Sequence, residues 1–210
     1  MVKDGEESPD ARLVERDVVA EKHWGNPLDS KNNWRTEFWE EGYLRATLLK
    51  VRYGWRKVPA LDFEGRRLNF GKSTDRSGAG ILSGLLPTGN RRRVWRAGTT
   101  QIAEIYDLGP QDGTSTGVFW HGGMEYRVEN PHNLSLFRSM KGPIRISSGM
   151  GMVGVIEPSP DSWFEWVIRP RRPVRFDVLL IAYHMAGWLS KPSSGGKGGG
   201  AAGGGGDGGC

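Results

Sequence analysis

Two dense runs of arginine are the side chains in this sequence best suited to binding chemistry. The first run comprises Arg91, Arg92, Arg93 and Arg96, and the second comprises Arg169, Arg171, Arg172 and Arg175. A guanidinium group presents a rigid fork of N–H donors that matches the oxygens of a phosphate. The two runs therefore predict phosphate contacts, either on anionic lipid headgroups or on a nucleic-acid backbone.

Three tryptophans, Trp95, Trp163 and Trp166, lie close to these arginines in the sequence. Their rings could stack on the bases of single-stranded nucleic acid or anchor the chain at a bilayer interface. The alternative interpretation is structural. Arginine stems would then pack over tryptophan rings on an exposed strand face, where the charges keep a sheet edge soluble.

The histidines and the glycine-rich segments give no cofactor pattern. The histidines are His23, His121, His132 and His184. No two of them have the i,i+4 spacing of a zinc-binding helix. The run from Gly71 to Thr74 resembles the end of a phosphate-binding P-loop, but that motif needs a glycine at position 66, which is Arg66. We therefore expect no metal site and no cofactor.

No residue has the sequence context of a catalytic group. A G-x-S-x-G nucleophile elbow is absent, and the single cysteine, Cys210, is the last residue. His121, Asp112 and Glu125 could meet in space, and His121 and His132 are the first places to look for a catalytic pocket. An enzyme with an unrecognised site therefore stays as an alternative to a binding protein.

The 210 residues fit one domain with flexible ends. We expect a disordered acidic leader over residues 1–33, a single β-rich domain over 34–192 and a disordered glycine-rich tail over 193–210. The leader is acidic because its first 23 residues carry seven acidic and four basic side chains. Since the net charge of the chain is +5, the domain is basic, which favours an anionic partner.

The longest apolar run, residues 178–189, is about a dozen residues long, whereas a membrane-spanning helix needs roughly 20. The first residues show no secretory signal. The expected location is the cytoplasm, with peripheral association at a membrane. The role of the glycine-rich tail is open, and one alternative is an assembly protein whose tail and Cys210 link chains.

Short segments with β-sheet patterns recur every 8–12 residues, separated by glycine and proline. We expect strands at 44–53, 58–63, 67–70, 94–97, 101–108, 117–121, 124–128, 134–138, 144–146, 152–156 and 163–168. Asp177 is a good N-cap for a helix over 178–189, which is apolar on nearly all sides and must be surrounded by the fold. These patterns predict a mainly β protein, an antiparallel barrel or sandwich closed around a hydrophobic C-terminal helix.

Residues 43–190 resemble the tubby C-terminal-like superfamily, which includes the phospholipid scramblases and the LURP-one-related proteins. Residues 49–68 look like the opening hairpin of that family, and residues 97–108 look like its middle strand pair. Val153-Gly154 resembles a recurrent valine-glycine strand, and residues 177–189 look like the core helix. The segment 72–90 departs from the regular succession of hairpins, which leaves full closure of the barrel open.

The resemblance implies a closed barrel around a central helix and a non-enzymatic role in lipid handling at a membrane. Together with the basic domain, it favours a module that binds anionic lipid headgroups through its arginines. The first alternative is a single-stranded nucleic-acid binder that uses the same arginines with tryptophan platforms. A lipid module should expose its basic patch beside an apolar rim, whereas a nucleic-acid binder should place tryptophan and arginine in one open groove.

Overall fold

The computed structural model describes residues 12–23, 35–53, 56–72, 92–111, 114–131, 142–162 and 164–189. The described residues form fourteen strands and one helix. These are β1 (Leu13–Val14), β2 (Val18–His23), β3 (Arg35–Glu40), β4 (Tyr43–Tyr53), β5 (Arg56–Phe63), β6 (Arg66–Lys72), β7 (Arg92–Ala97), β8 (Thr100–Gln111), β9 (Thr114–His121), β10 (Met124–Asn130), β11 (Ile144–Ser148), β12 (Gly151–Pro158), β13 (Glu165–Pro170), β14 (Val174–Arg175) and α1 (Phe176–Leu189). The predicted strand over 134–138 lies outside the described residues.

Twelve strands, β2 to β13, form a closed antiparallel barrel in which each strand pairs with its neighbour in the chain. The ring closes where Ile168 on β13 pairs with Val18 on β2. Strands β1 and β14 form a separate two-residue ladder just before the helix. The prediction of a mainly β fold with an antiparallel barrel is confirmed, and closure removes the exposed edges that an open sheet would have.

The helix α1 occupies the interior of the barrel. Phe38 on β3 packs edge-on against Tyr183 of the helix, with ring centroids 5.1 Å apart, and Gly117 on β9 lies against Met185. Strands β3 and β9 are six places apart in a ring of twelve, so they are opposite walls. A helix that touches both walls lies between them, which explains why it is apolar all round.

The side chains of the barrel alternate between the helix and the outer face, as the two-residue period of a strand requires. On β2, Val18 and Ala20 are completely buried in the core, whereas Glu21 and His23 lie on the other face. The prediction that residues 1–33 are disordered is wrong for this segment, because β2 is an integral strand of the barrel. Its short apolar run, flanked by charged residues, is too brief to stand out in the sequence.

At one end of the barrel, which we call the hairpin end, tight turns follow β3, β5, β7, β9 and β11. Three of these turns have positive φ at both central residues: Glu41 (52°) with Gly42 (79°), Glu64 (50°) with Gly65 (70°), and Gly122 (58°) with Gly123 (73°). That geometry matches the twist of the flanking strands and confirms the predicted hairpin at Glu64-Gly65. The helix begins at this end.

Among the described residues, no helix is long and apolar enough to cross a membrane.

Candidate functional site

A buried ionic network joins the barrel wall to the start of the helix at the hairpin end. The Nε2 atom of His121, the last residue of β9, lies 2.8 Å from Oδ2 of Asp177 in the first turn of α1. Arg175 donates to the same carboxylate from Nη2 at 2.8 Å and from Nε at 3.2 Å. His121 and Asp177 are only 5% and 6% exposed, respectively, so the charges are almost removed from water.

The second ring nitrogen of His121, Nδ1, lies 2.9 Å from the carbonyl oxygen of Ile102. Both ring nitrogens of His121 thus face an acceptor oxygen, one on the backbone of β8 and one on the helix. The strand β8, the end of β9 and the helix are therefore tied together through one side chain. This arrangement fixes the helix at the position where it enters the barrel.

The pKa of Asp177 reflects two opposed effects. Burial by itself raises the pKa, but hydrogen bonds from His121 and Arg175 outweigh it and bring the pKa down to about 2. Nearby, burial and the negative charge of Asp177 raise the pKa of Tyr126. The site is thus built to hold a carboxylate in its charged form. A small cavity of about 20 Å³ adjoins Asp177 and Arg175, with room for a single water-sized group.

Of His121, Asp112 and Glu125, which from the sequence could meet in space, two lie within the described residues. His121 is paired with Asp177 instead, Glu125 lies exposed on β10, and Asp112 and His132 are outside the described residues. In the sequence, Asp177 is recognisable only as a helix cap. Its contact with His121 spans 56 positions of the chain, and no local pattern reveals such a contact.

The two arginine runs lie on opposite walls of the barrel. Arg92, Arg93 and Arg96 belong to β7, and Arg169 belongs to β13, which is six places from β7 in the ring. Arg91 is outside the described residues. Because β7 runs toward the hairpin end, Arg92 and Arg93 stand at the opposite end of the barrel. The described arginines of the two runs therefore lie on different sides of the barrel.

The second run gathers at the hairpin end, between β13 and the helix. Arg169 forms ion pairs with Glu157 (2.6 Å) and Asp17 (3.2 Å), and Arg175 is held by Asp177. The remaining two arginines of this run, Arg171 and Arg172, lie in the connection from β13 to β14.

Arg172 braces the turn between β11 and β12. Its Nη2 donates to Ser148 Oγ at 2.6 Å and its Nη1 donates to the carbonyl oxygen of Met150 at 3.2 Å. These partners are neutral, so they do not cancel the charge of the guanidinium. The neighbouring Arg171 is exposed. The positive charge of Arg172 thus stands beside the tip of this hairpin, and Arg171 precedes it in the chain.

Exposed apolar side chains surround these arginines. Of the six large apolar residues that are exposed in the described part of the chain, five are at the hairpin end: Leu13, Tyr43, Leu44, Met150 and Met152. Met150 and Tyr43 are the most exposed, each at 66%. The sixth, Phe164, lies at the other end, before β13. We call the surface formed by Leu13, Tyr43, Leu44, Met150, Met152, Arg171 and Arg172 the apolar–basic rim.

The rim is one continuous sector of the hairpin end. Strands β11, β12, β13, β2, β3 and β4 are consecutive in the ring, and the rim residues lie at the ends of these strands or beside them. Arg45 stacks over the ring of Tyr43 at 5.3 Å and also pairs with Glu40. The hairpin that carries Tyr43 and Leu44 is therefore held in place by charged neighbours.

The tryptophans are not arranged as stacking platforms in the described residues. Trp95 is completely buried and packs against His184 in the barrel, with ring centroids 5.0 Å apart. Trp166 packs against the core, and Trp120 lies edge-on against Tyr106. Trp163 lies outside the described residues. The predicted pairing of tryptophan with arginine in one open groove is thus not seen in the described part of the structure.

Comparison with known proteins gives no family assignment, because no protein-family model matches the sequence and no curated protein matches it significantly.

Proposed function

We propose that this protein is a non-enzymatic binding module that docks on anionic lipid headgroups with its hairpin end. The observation that carries the proposal is the apolar–basic rim, where Met150 and Met152 stand exposed beside Arg171 and Arg172. An apolar rim beside a basic patch is the arrangement expected of a peripheral membrane protein. The proposal concerns recognition and assigns no reaction to the protein.

The rim combines two kinds of side chain that each contribute favourable free energy to binding at a membrane surface. A basic side chain near an anionic leaflet contributes about 1 kcal/mol of attraction, and apolar groups gain when they leave water for the boundary between headgroups and acyl chains. Arg171 and Arg172 supply the first contribution, and the tips that carry Met150 and Tyr43 supply the second. Either contribution alone gives weak binding, so their presence on one sector supports docking in one orientation.

A closed barrel around a central apolar helix is also the fold that the resemblance to the tubby C-terminal-like superfamily implies. Likeness of fold alone does not assign a function, so the rim carries the argument. Anionic lipids are concentrated on the cytoplasmic leaflet. We therefore propose a cytoplasmic protein that associates peripherally with that leaflet.

The rim, rather than the arginines of β7, is the proposed contact surface. Arg92 and Arg93 stand at the other end of the opposite wall, so a planar membrane that contacts the rim cannot contact them as well. Of the eight arginines predicted to bind phosphate, Arg171 and Arg172 are the two that we propose meet the membrane. Arg169 and Arg175 already bind carboxylates within the protein.

The proposal is tested by sedimentation of the full chain with vesicles of neutral lipid that contain graded fractions of phosphatidylserine, at low and high salt. The informative variant is Arg171→Ala, because Arg171 is exposed and its removal leaves the contacts of Arg172 with Ser148 intact. We expect binding that rises with the anionic fraction, falls with salt and weakens about fivefold in the variant.

The matched control is Arg93→Ala, which removes one positive charge from the far wall. It should bind vesicles nearly as well as the unchanged protein. If both variants lost vesicle binding to the same extent, the loss would reflect only the reduced net charge and would contradict docking through the rim. Absence of binding at low salt would overturn the lipid proposal, and binding to oligonucleotides in a parallel arm would then favour the nucleic-acid alternative.

A further inference from the structure

Three potential metal ligands meet on the outer face of strands β2 and β3, away from the hairpin end. The Nε2 atom of His23 lies 3.0 Å from Oε2 of Glu37 and 3.6 Å from Oε2 of Glu21. One ligand atom from each of the three residues falls within 4.8 Å of the other two. The pairing of the strands creates this arrangement, because Glu21 is directly opposite Glu37 and His23 is directly opposite Arg35.

The imidazole nitrogen at the centre of this cluster has no hydrogen-bond partner. The Nε2 atom of His23 is inaccessible to solvent and makes no hydrogen bond, although Glu37 Oε2 is only 3.0 Å away. A buried nitrogen without a partner is costly, and a metal ion between the three side chains would satisfy it.

The register of three strands adds a second, independent observation. Glu165 on β13 is directly opposite Glu21 on β2, which is directly opposite Glu37 on β3. Three carboxylates thus form one row on the outer face of the sheet. Like charges in directly opposed positions are destabilising. A divalent cation beside this row would remove much of the repulsion.

The distances suit ligands that share one small cation. Nitrogen and oxygen ligands lie about 2.0–2.1 Å from Zn²⁺, so two ligands at tetrahedral angles are about 3.3 Å apart. The distances from His23 to the two glutamates lie on either side of that value. Glu37 is also oriented from behind, because Arg35 Nε binds its other oxygen, Oε1, at 2.7 Å. A hydrogen-bond donor behind a metal-ligating carboxylate, as Arg35 is to Glu37, holds that carboxylate in a fixed orientation.

We propose that Glu21, His23 and Glu37 form a binding site for a divalent transition-metal ion, with Zn²⁺ as the ion that fits best. One imidazole and two carboxylates are ligands that Zn²⁺ accepts, and three protein ligands leave a fourth position for water. The imidazole favours Zn²⁺ over Mg²⁺ and Ca²⁺, which prefer sites made of oxygen alone. The site is independent of the apolar–basic rim and would stand if the lipid proposal failed.

The test is calorimetric titration of the full chain with Zn²⁺ after treatment with a chelator. All proteins carry Cys210→Ser, because a thiol is itself a zinc ligand and Cys210 is the only one in the chain. We expect one ion bound per chain. Glu21→Gln and His23→Ala should each lower the affinity by about tenfold or more.

Two controls separate a site from general charge. Glu125→Gln removes one negative charge from an exposed position on β10 and should leave the affinity unchanged. Glu21→Gln is nearly isosteric and lies on the outer face, so it should fold even if His23→Ala does not. Absence of Zn²⁺ binding by the parent protein would overturn the proposal, and so would a Glu21→Gln variant that binds as well as the parent.

Discussion

His121 Nε2 and Asp177 Oδ2 lie 2.8 Å apart, although their residues are 56 positions apart in the sequence. The first residue ends a strand of the barrel wall, and the second lies in the first turn of the central helix. Since both are buried, the pair joins the wall to the helix at the end of the barrel that carries the proposed membrane contact.

Replacement of the buried carboxylate should destabilise the fold strongly. Asp177→Asn removes the negative charge that pairs with Arg175 and contacts His121, so the guanidinium of Arg175 loses its counter-ion at a buried position. Breaking a buried pair from one side costs about 3–5 kcal/mol. We expect a loss of that size in the free energy of unfolding, measured by urea denaturation at neutral pH.

The matched control is Asp161→Asn, because Asp161 is exposed near β13. It should change the free energy of unfolding by less than about 0.5 kcal/mol. Similar stability of the two variants would contradict the role given to the network.

The same carboxylate predicts how stability depends on acidity. The pKa of Asp177 falls from 3.8 to about 2 on folding, because the hydrogen bonds from His121 and Arg175 outweigh burial. A lowered pKa stabilises the folded state fully above the unfolded value, and the gain is lost as the pH falls through the folded value. The shift corresponds to about 2 kcal/mol.

The gap in unfolding free energy between the parent protein and Asp177→Asn should therefore narrow as the pH falls from about 5 to about 2. Urea denaturation at several pH values measures it. A gap that stays constant over this range would show that Asp177 titrates normally in the folded protein.

Substitution of alanine for Gly117 and for Gly187 should change the free energy of unfolding in opposite directions. At Gly117 on β9, an added Cβ would overlap the terminal methyl of Met185 and lie 2.8 Å from the carbonyl oxygen of Tyr106. Overpacking of this kind costs about 1–3 kcal/mol. At Gly187, exposed in the last turn of the helix, a Cβ meets nothing within 4 Å, so alanine should stabilise by about 0.5–1 kcal/mol.

Thermal unfolding of the two variants separates these effects. A tolerated Gly117→Ala would contradict the position of the helix between opposite walls of the barrel. The outcome at Gly187 shows how much of the helix end depends on backbone propensity alone.

The barrel and its helix could be predicted because local patterns encode them. Glycine at position 65 marks a turn between two alternating segments, and the apolar run that begins at Val178 has no polar face. Strand β2 was missed because only Val18 and Ala20 of its residues face the core, a pattern too short to identify among charged neighbours.

The proposed metal site and the surfaces that carry the arginines could not be predicted, because they depend on contacts between strands that no local sequence pattern encodes. The meeting of His23 with Glu37 follows from the register of β2 on β3, and that register is known only once the strands are paired. In the same way, the separation of the two arginine runs follows from the order of the strands around the barrel. The sequence shows each run to be dense in charge but not which wall it occupies.

The central claim is that the hairpin end meets the membrane, and labelling with a polarity-sensitive fluorophore tests it most directly. In a Cys210→Ser background, Met150→Cys places the label on the rim, and Phe164→Cys places it on an exposed apolar residue at the other end. With phosphatidylserine vesicles, the label at position 150 should shift to shorter wavelength, whereas the label at position 164 should not. A shift at position 164 alone, or at neither position, would contradict docking through the hairpin end.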